Sequence, residues 1–80
     1  MGYHLKKIKK GKLGELSKIR EELEEAEDSE KQGAKIMLMI ELSDMIGAIE
    51  AVGEKLGVSL EDLLKMKELT QRAFRTGERE

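Results

Sequence analysis

MIELSDMIGAIEA, residues 39–51, is a long apolar run with Glu41 and Asp44 set into it three positions apart. Around it, Leu38, Leu42, Met45, Ile49, Val52 and Leu56 recur at steps of four and three, the seam of a helix that packs lengthwise against another. At about 100° per residue, Met37, Ala48 and Ala51 widen that seam, while Ser43, Glu50 and Glu54 fall on the opposite, wetter face. Glu41 and Asp44 project inside the apolar arc. An ionised carboxylate taken out of water is costly unless something positive meets it. The pair therefore either turns to solvent or holds a cation. The arc is also wider than one neighbouring helix covers, which predicts a second chain.

Toward the N-terminus, Leu13, Leu16, Ile19, Leu23 and Ala26 repeat at helical spacing and predict a first helix over 13–28. SEKQ, residues 29–32, has the form of a capping box with Ser29 as N-cap, and predicts a second helix over 30–56 stopped by Gly57. SLED, residues 59–62, is a second cap and opens a third helix over 60–76, ended by Gly77 and docked through Leu63, Met66, Leu69 and Phe74. Met37, Met39, Met45 and Met66 read as core filler. The expected fold is all-α: a three-helix antiparallel unit that assembles into a helical bundle as a homo-oligomer. Residues 1–80 make one domain, with MGYHLKKIKKGK, residues 1–12, as a basic lead-in.

Composition removes several classes of function. The absence of cysteine excludes disulfides and thiolate metal sites, and a single histidine excludes His-rich zinc chemistry. Tyr3 and Phe74 are the only aromatics, so the core must be aliphatic, which suits helices better than a sheet. Acids and bases nearly cancel to a net charge of −2, leaving no global basic field for a nucleic-acid polymer. No apolar run reaches the roughly 18 residues of a membrane span, and HLKKIKK is not followed by the apolar segment of a secretory signal. A soluble, cytoplasmic protein is the expectation.

A second acidic pair lies on the first helix. In REELEEAED, Glu22 and Glu25 stand three apart along one edge of the apolar stripe, with Glu15 and Lys18 on the same edge. Glu21 and Glu24 lie toward the other edge, and spacing alone does not choose between the pairs. Packed antiparallel, the first two helices can bring an E-x-x-E and an E-x-x-D pair face to face. Carboxylates so gathered repel and raise one another's pKa, a conflict that a divalent cation removes. Oxygen ligands alone favour a hard ion, Mg2+ or Mn2+. Such an ion typically holds a substrate's phosphates and activates water against a phosphoanhydride.

EELEE followed by ELSD resembles the E-x-x-E…E-x-x-D signature of the all-α nucleotide pyrophosphohydrolases, which include MazG-like proteins, dimeric dUTPases and phosphoribosyl-ATP pyrophosphohydrolases. GYHLKKIKKGKLGELSKIREELEE, ELSDMIGAIEA and LLKMKELTQRAFRTGER extend the likeness to the small phosphoribosyl-ATP-pyrophosphohydrolase-like proteins of phages and bacteria, over nearly the whole chain. The resemblance implies Mg2+ held by Glu22, Glu25, Glu41 and Asp44, with Glu21 a further ligand or a supporting group. It also implies cleavage of a nucleoside triphosphate to the monophosphate and pyrophosphate, in the cytoplasm of a bacterium or a phage-infected host cell. KELTQRAFRTGER lacks an Asn that larger members use to touch substrate.

Phosphate contacts would then come from Lys10, Lys12, Lys18, Lys67, Arg72 or Arg75, and the lead-in would fold over a triphosphate. The plainer alternatives are a solvated terminus for the lead-in and a helix-face partner role for Lys18. His4 reads as a surface or packing residue. The function so expected is a Mg2+-dependent nucleoside triphosphate pyrophosphohydrolase, acting as a homodimer or homotetramer. The alternatives are a phage-type protein that binds and sequesters a signalling nucleotide without turnover, and a plain helical oligomerisation module.

Overall fold

The computed structural model describes residues 4–76. Among them the regular structure is entirely helical: α1 (Leu16–Lys31), α2 (Lys35–Lys55) and α3 (Leu60–Thr76), with no strand. None of these helices is long and apolar enough to cross a membrane.

The turns explain the element boundaries. At the end of α1 the Gly33 N–H donates to the Glu30 carbonyl (3.0 Å) and the Ala34 N–H to the Ser29 carbonyl (3.0 Å). At the end of α2 the Gly57 N–H donates to Glu54 (3.0 Å) and the Val58 N–H to Gly53 (2.8 Å). Both are Schellman closures, which need a left-handed residue, and Gly33 (φ 71°) and Gly57 (φ 79°) supply it without steric cost. The predicted stop at Gly57 is therefore found. The predicted N-cap at Ser29 is not. Ser29 is fully buried inside α1, and α2 begins at Lys35 instead of residue 30. The predicted cap at SLED is present, with the Asp62 N–H donating to Ser59 Oγ (3.1 Å) and the Ser59 N–H to Asp62 Oδ2 (3.3 Å).

Helix α1 also starts later than predicted. A turn closes from the Lys12 carbonyl to the Glu15 N–H (3.0 Å), and Glu15 is the extended N-cap residue. Leu13 and Leu16, counted into the apolar stripe, are left largely exposed.

The three-residue turn folds α1 and α2 into a packed hairpin. Among the described residues helix α3 touches α2 but not α1, so these residues form a hairpin with a third helix attached and not a closed three-helix bundle. Its first turns rest on α2 where Gly53 allows close approach: a Cβ there would stand 2.9 Å from the Val58 carbonyl oxygen and 3.2 Å from Leu63 Cδ1. Met66 and Leu69, expected to dock α3, are exposed, as is Met39; the side chain of Phe74 lies outside the described residues. The Cα radius of gyration is 14.7 Å, against roughly 11.6 Å for a compact chain of this length.

Residues 4–15 form an irregular strap that runs back along α1. The Leu5 N–H donates to Asp28 Oδ2 (2.9 Å), the Gly11 N–H to Glu21 Oε1 (2.8 Å) and the Lys12 N–H to Ser17 Oγ (3.1 Å). Gly11 sits so close to α1 that a Cβ would run into the Ser17 carbonyl. Residues 4–12 of the basic lead-in are thus laid against the first helix by backbone N–H groups that donate to Asp28, Glu21 and Ser17.

Candidate functional site

The interface between the strap, α1 and α2 is lined with acids. Glu21, Glu22, Asp28 and Glu41 are all buried, Glu41 to 1% exposure. Glu25 is half-buried and Asp44 exposed. Carboxyl oxygens converge in overlapping sets whose ligand atoms all lie within 4.8 Å of one another: Glu22 with Glu41 and Asp44, and Glu21 with Glu22 and Glu25. A third set adds a nitrogen, joining His4 to Glu25 and Glu41.

The counter-charges sit on one side of this cluster. Lys18 Nζ lies 3.1 Å from Glu21 Oε1 and 3.3 Å from Glu22 Oε2, and Lys10 Nζ 3.6 Å from Glu21 Oε2. With the Gly11 N–H these donors occupy both oxygens of Glu21. Glu22 is less well served: its Oε1 is buried and has no hydrogen-bond partner. An orphaned acceptor of this kind carries a desolvation penalty that a cation would relieve.

The titration behaviour follows from these contacts. Burial pushes Glu21 upward, but the Gly11 N–H and the Lys18 and Lys10 ammoniums outweigh it and hold the carboxyl below its ordinary value. Burial raises Glu22, and the neighbouring Glu25 carboxylate adds to the rise. Glu25 is raised as well, by burial and by the charges of Glu41 and Glu21. Lys18 is raised by its hydrogen bond to Glu21 and by its contact with Glu22. Asp28 is lowered, first by the Leu5 N–H and then by His4 and Gln32.

All four acids of the expected ligand set therefore lie in the cluster, though not in one set of ligand atoms: Glu22, Glu41 and Asp44 group together, and Glu25 joins through its neighbours. Of the expected phosphate contacts, Lys10 and Lys18 are at the cluster, and Lys12 is exposed on the strap. Lys67 lines an apolar groove with Ile46, Ile49 and Leu63 on the α2–α3 side. The side chains of Arg72 and Arg75 lie outside the described residues. A basic groove of about 340 Å³, lined by His4, Lys6, Lys7, Ile8, Lys10 and Glu25, opens beside the acids.

His4 was not expected here. Its Nδ1 lies 3.0 Å from Asp28 Oδ2, and its Nε2 faces Glu41 Oε2 at 3.6 Å and Glu25 Oε2 at 3.9 Å. A lone histidine in a lysine-rich segment gives no periodic signal; only the strap's return to Asp28 brings it in.

No protein-family model, no curated protein and no solved structure matches this chain.

Proposed function

We propose that the chain is a divalent-metal-dependent pyrophosphohydrolase that cleaves a nucleoside triphosphate to the monophosphate and pyrophosphate. The observation that carries this reading is the convergence of Glu22, Glu41 and Asp44 within 4.8 Å, with Glu22 Oε1 buried and unpartnered among them. These residues fit a cation: they supply carboxylate oxygens from two helices, and one of those oxygens, Glu22 Oε1, is buried without a hydrogen-bond partner. A bound Mg2+ or Mn2+ would contribute Lewis-acid polarisation of the phosphoanhydride and a more acidic attacking water. The chain supplies the rest. Glu22, Glu41 and Asp44 would hold the ion, Glu25 would flank it, and Lys18 tempers the charge of Glu21 and Glu22 when the site is not loaded. Lys6, Lys7 and Lys10 give the adjacent groove the positive lining that a polyphosphate requires.

The active form in this reading is a homo-oligomer. The chain exposes 6375 Å², against roughly 4,900 Å² for a compact monomer of its mass, and the surplus is large enough for a stable interface. Much of it is apolar: on α2, Ile36, Met39, Ile40, Leu42 and Ile46 are all exposed.

Incubation with a panel of nucleoside triphosphates and Mg2+ tests the activity. Release of pyrophosphate supports it, and Asp44→Asn should abolish that release while the helices stay folded. A nucleotide recovered unchanged but tightly bound replaces it with sequestration, and activity surviving Asp44→Asn overturns the assignment of the acids.

A further inference from the structure

We propose that His4 is itself a metal ligand: its Nε2, with carboxylate oxygens of Glu25 and Glu41, forms a mixed nitrogen–oxygen site that takes a first-row transition ion such as Mn2+ or Zn2+ in preference to Mg2+. The inference rests on reading the acids as a cation site and adds to it which ion they select.

Three features of the geometry carry it. First, Nε2 stands 3.6 Å from Glu41 and 3.9 Å from Glu25. Those separations are too long for direct hydrogen bonds. They are close to the spacing of two donors on one ion, since ligands about 2.1 Å from a metal at 90–120° to each other lie roughly 3.0–3.7 Å apart. A contraction of a few tenths of an ångström brings Nε2 into that range of both acids, and all three ligand atoms already lie within 4.8 Å of one another.

Second, the ring is aimed by a carboxylate behind it. Asp28 Oδ2 only accepts, so the 3.0 Å contact places the proton of a neutral ring on Nδ1 and the lone pair on Nε2, toward the acids. Asp28 is held in turn by the Leu5 N–H and by Gln32 Nε2, both at 2.9 Å. A carboxylate that orients a histidine from behind is the usual support for a metal-bound imidazole.

Third, Glu41 is shared between this set and that of Glu22 and Asp44, in which Glu22 Oε1 is buried without a hydrogen-bond donor. Imidazole nitrogen suits Mn2+ less than Zn2+ but suits either better than Mg2+, which keeps to oxygen and water.

His4 is the only histidine in the chain, so imidazole labelling reports a single site. The test is ¹⁵N-NMR of histidine-labelled protein during Zn2+ titration, alongside Zn2+, Mn2+ and Mg2+ affinities of the wild type, His4→Asn and Glu41→Gln. The amide of His4→Asn can replace the Nδ1 donor to Asp28 but offers nothing at Nε2, which separates ligation from docking of the strap. The expected result is a shift of the Nε2 resonance complete at one equivalent, with Nδ1 still protonated. His4→Asn should weaken Zn2+ and Mn2+ binding by about tenfold or more, and Mg2+ binding by less than about threefold. Metal binding that Glu41→Gln abolishes, but that leaves Nε2 unmoved and His4→Asn unaffected, overturns the role of His4 and leaves the acidic site standing. Absence of binding by any of the three ions overturns both. Pyrophosphate release is measured separately and judges turnover alone.

Discussion

His4 Nδ1 lies 3.0 Å from Asp28 Oδ2 across 24 positions of sequence, and this contact, with the Leu5 N–H on the same oxygen, fixes where the strap ends on α1. Asp28→Ala should release it. The Leu5 amide should then lose its protection from hydrogen exchange, while the amides of α2 keep theirs.

The same carboxyl sets a pH dependence. Asp28 titrates below its ordinary value in the folded chain, because the Leu5 N–H, His4 and Gln32 favour the ionised form. A lowered folded pKa contributes stability that is present above the unfolded value, near 4, and is lost as pH falls through the lowered one. Urea-denaturation midpoints of the wild type and Asp28→Ala should therefore differ at neutral pH, begin to approach each other near pH 4 and converge only once the pH is below the lowered folded value.

Glu22 and Glu25 act with the opposite sign. Both are raised by burial and by neighbouring carboxylates, so the folded chain holds protons that the unfolded chain has released. Their contribution to metal-free stability falls as pH rises from about 4.5 through the raised values. Glu22→Gln should raise the metal-free Tm at neutral pH and reduce the stabilisation that Mn2+ confers. Calorimetry with and without the ion checks both halves.

Gly53→Ala probes the fold away from the acids. The added methyl would meet the Val58 carbonyl at 2.9 Å and Leu63 at 3.2 Å, and backbone is the harder of the two to displace. The expected cost is about 1–3 kcal/mol, or roughly 4–8 °C of Tm for each kcal/mol, read by thermal melting.

Ile40 is 45% exposed on α2 in a single copy. Ile40→Glu should convert an oligomer into monomers in sedimentation equilibrium, with helix content retained. A wild type that is already monomeric would remove the proposal of a second copy.

The helical signals that could be read were those written locally. Gly57 and the Ser59–Asp62 cap act within four residues of themselves, and both end and begin helices as their chemistry requires. Ser29 carried the same local signature but is overridden. Gly33, four residues later, closes a Schellman turn, and Ser29 is taken into the buried side of α1. The acids Glu22 and Glu41 stood out through their position relative to apolar stripes, and both are buried. The strap left no such trace, because its order comes from single N–H groups of Leu5, Gly11 and Lys12 meeting side chains of α1. A backbone donor has no letter in the sequence. His4 and Asp28 become a pair only through those bonds.

The strap has a consequence for how the molecule can be cut. Lys6, Lys7, Lys9 and Lys10 are exposed and stand between His4 and the Gly11 anchor, in a stretch without regular structure. Trypsin cleavage at any of them would sever His4 from the rest of the chain while leaving the three helices whole. Digestion rate at these four lysines is thus a gauge of how firmly the imidazole is seated, and the trimmed product is a ready-made protein lacking it.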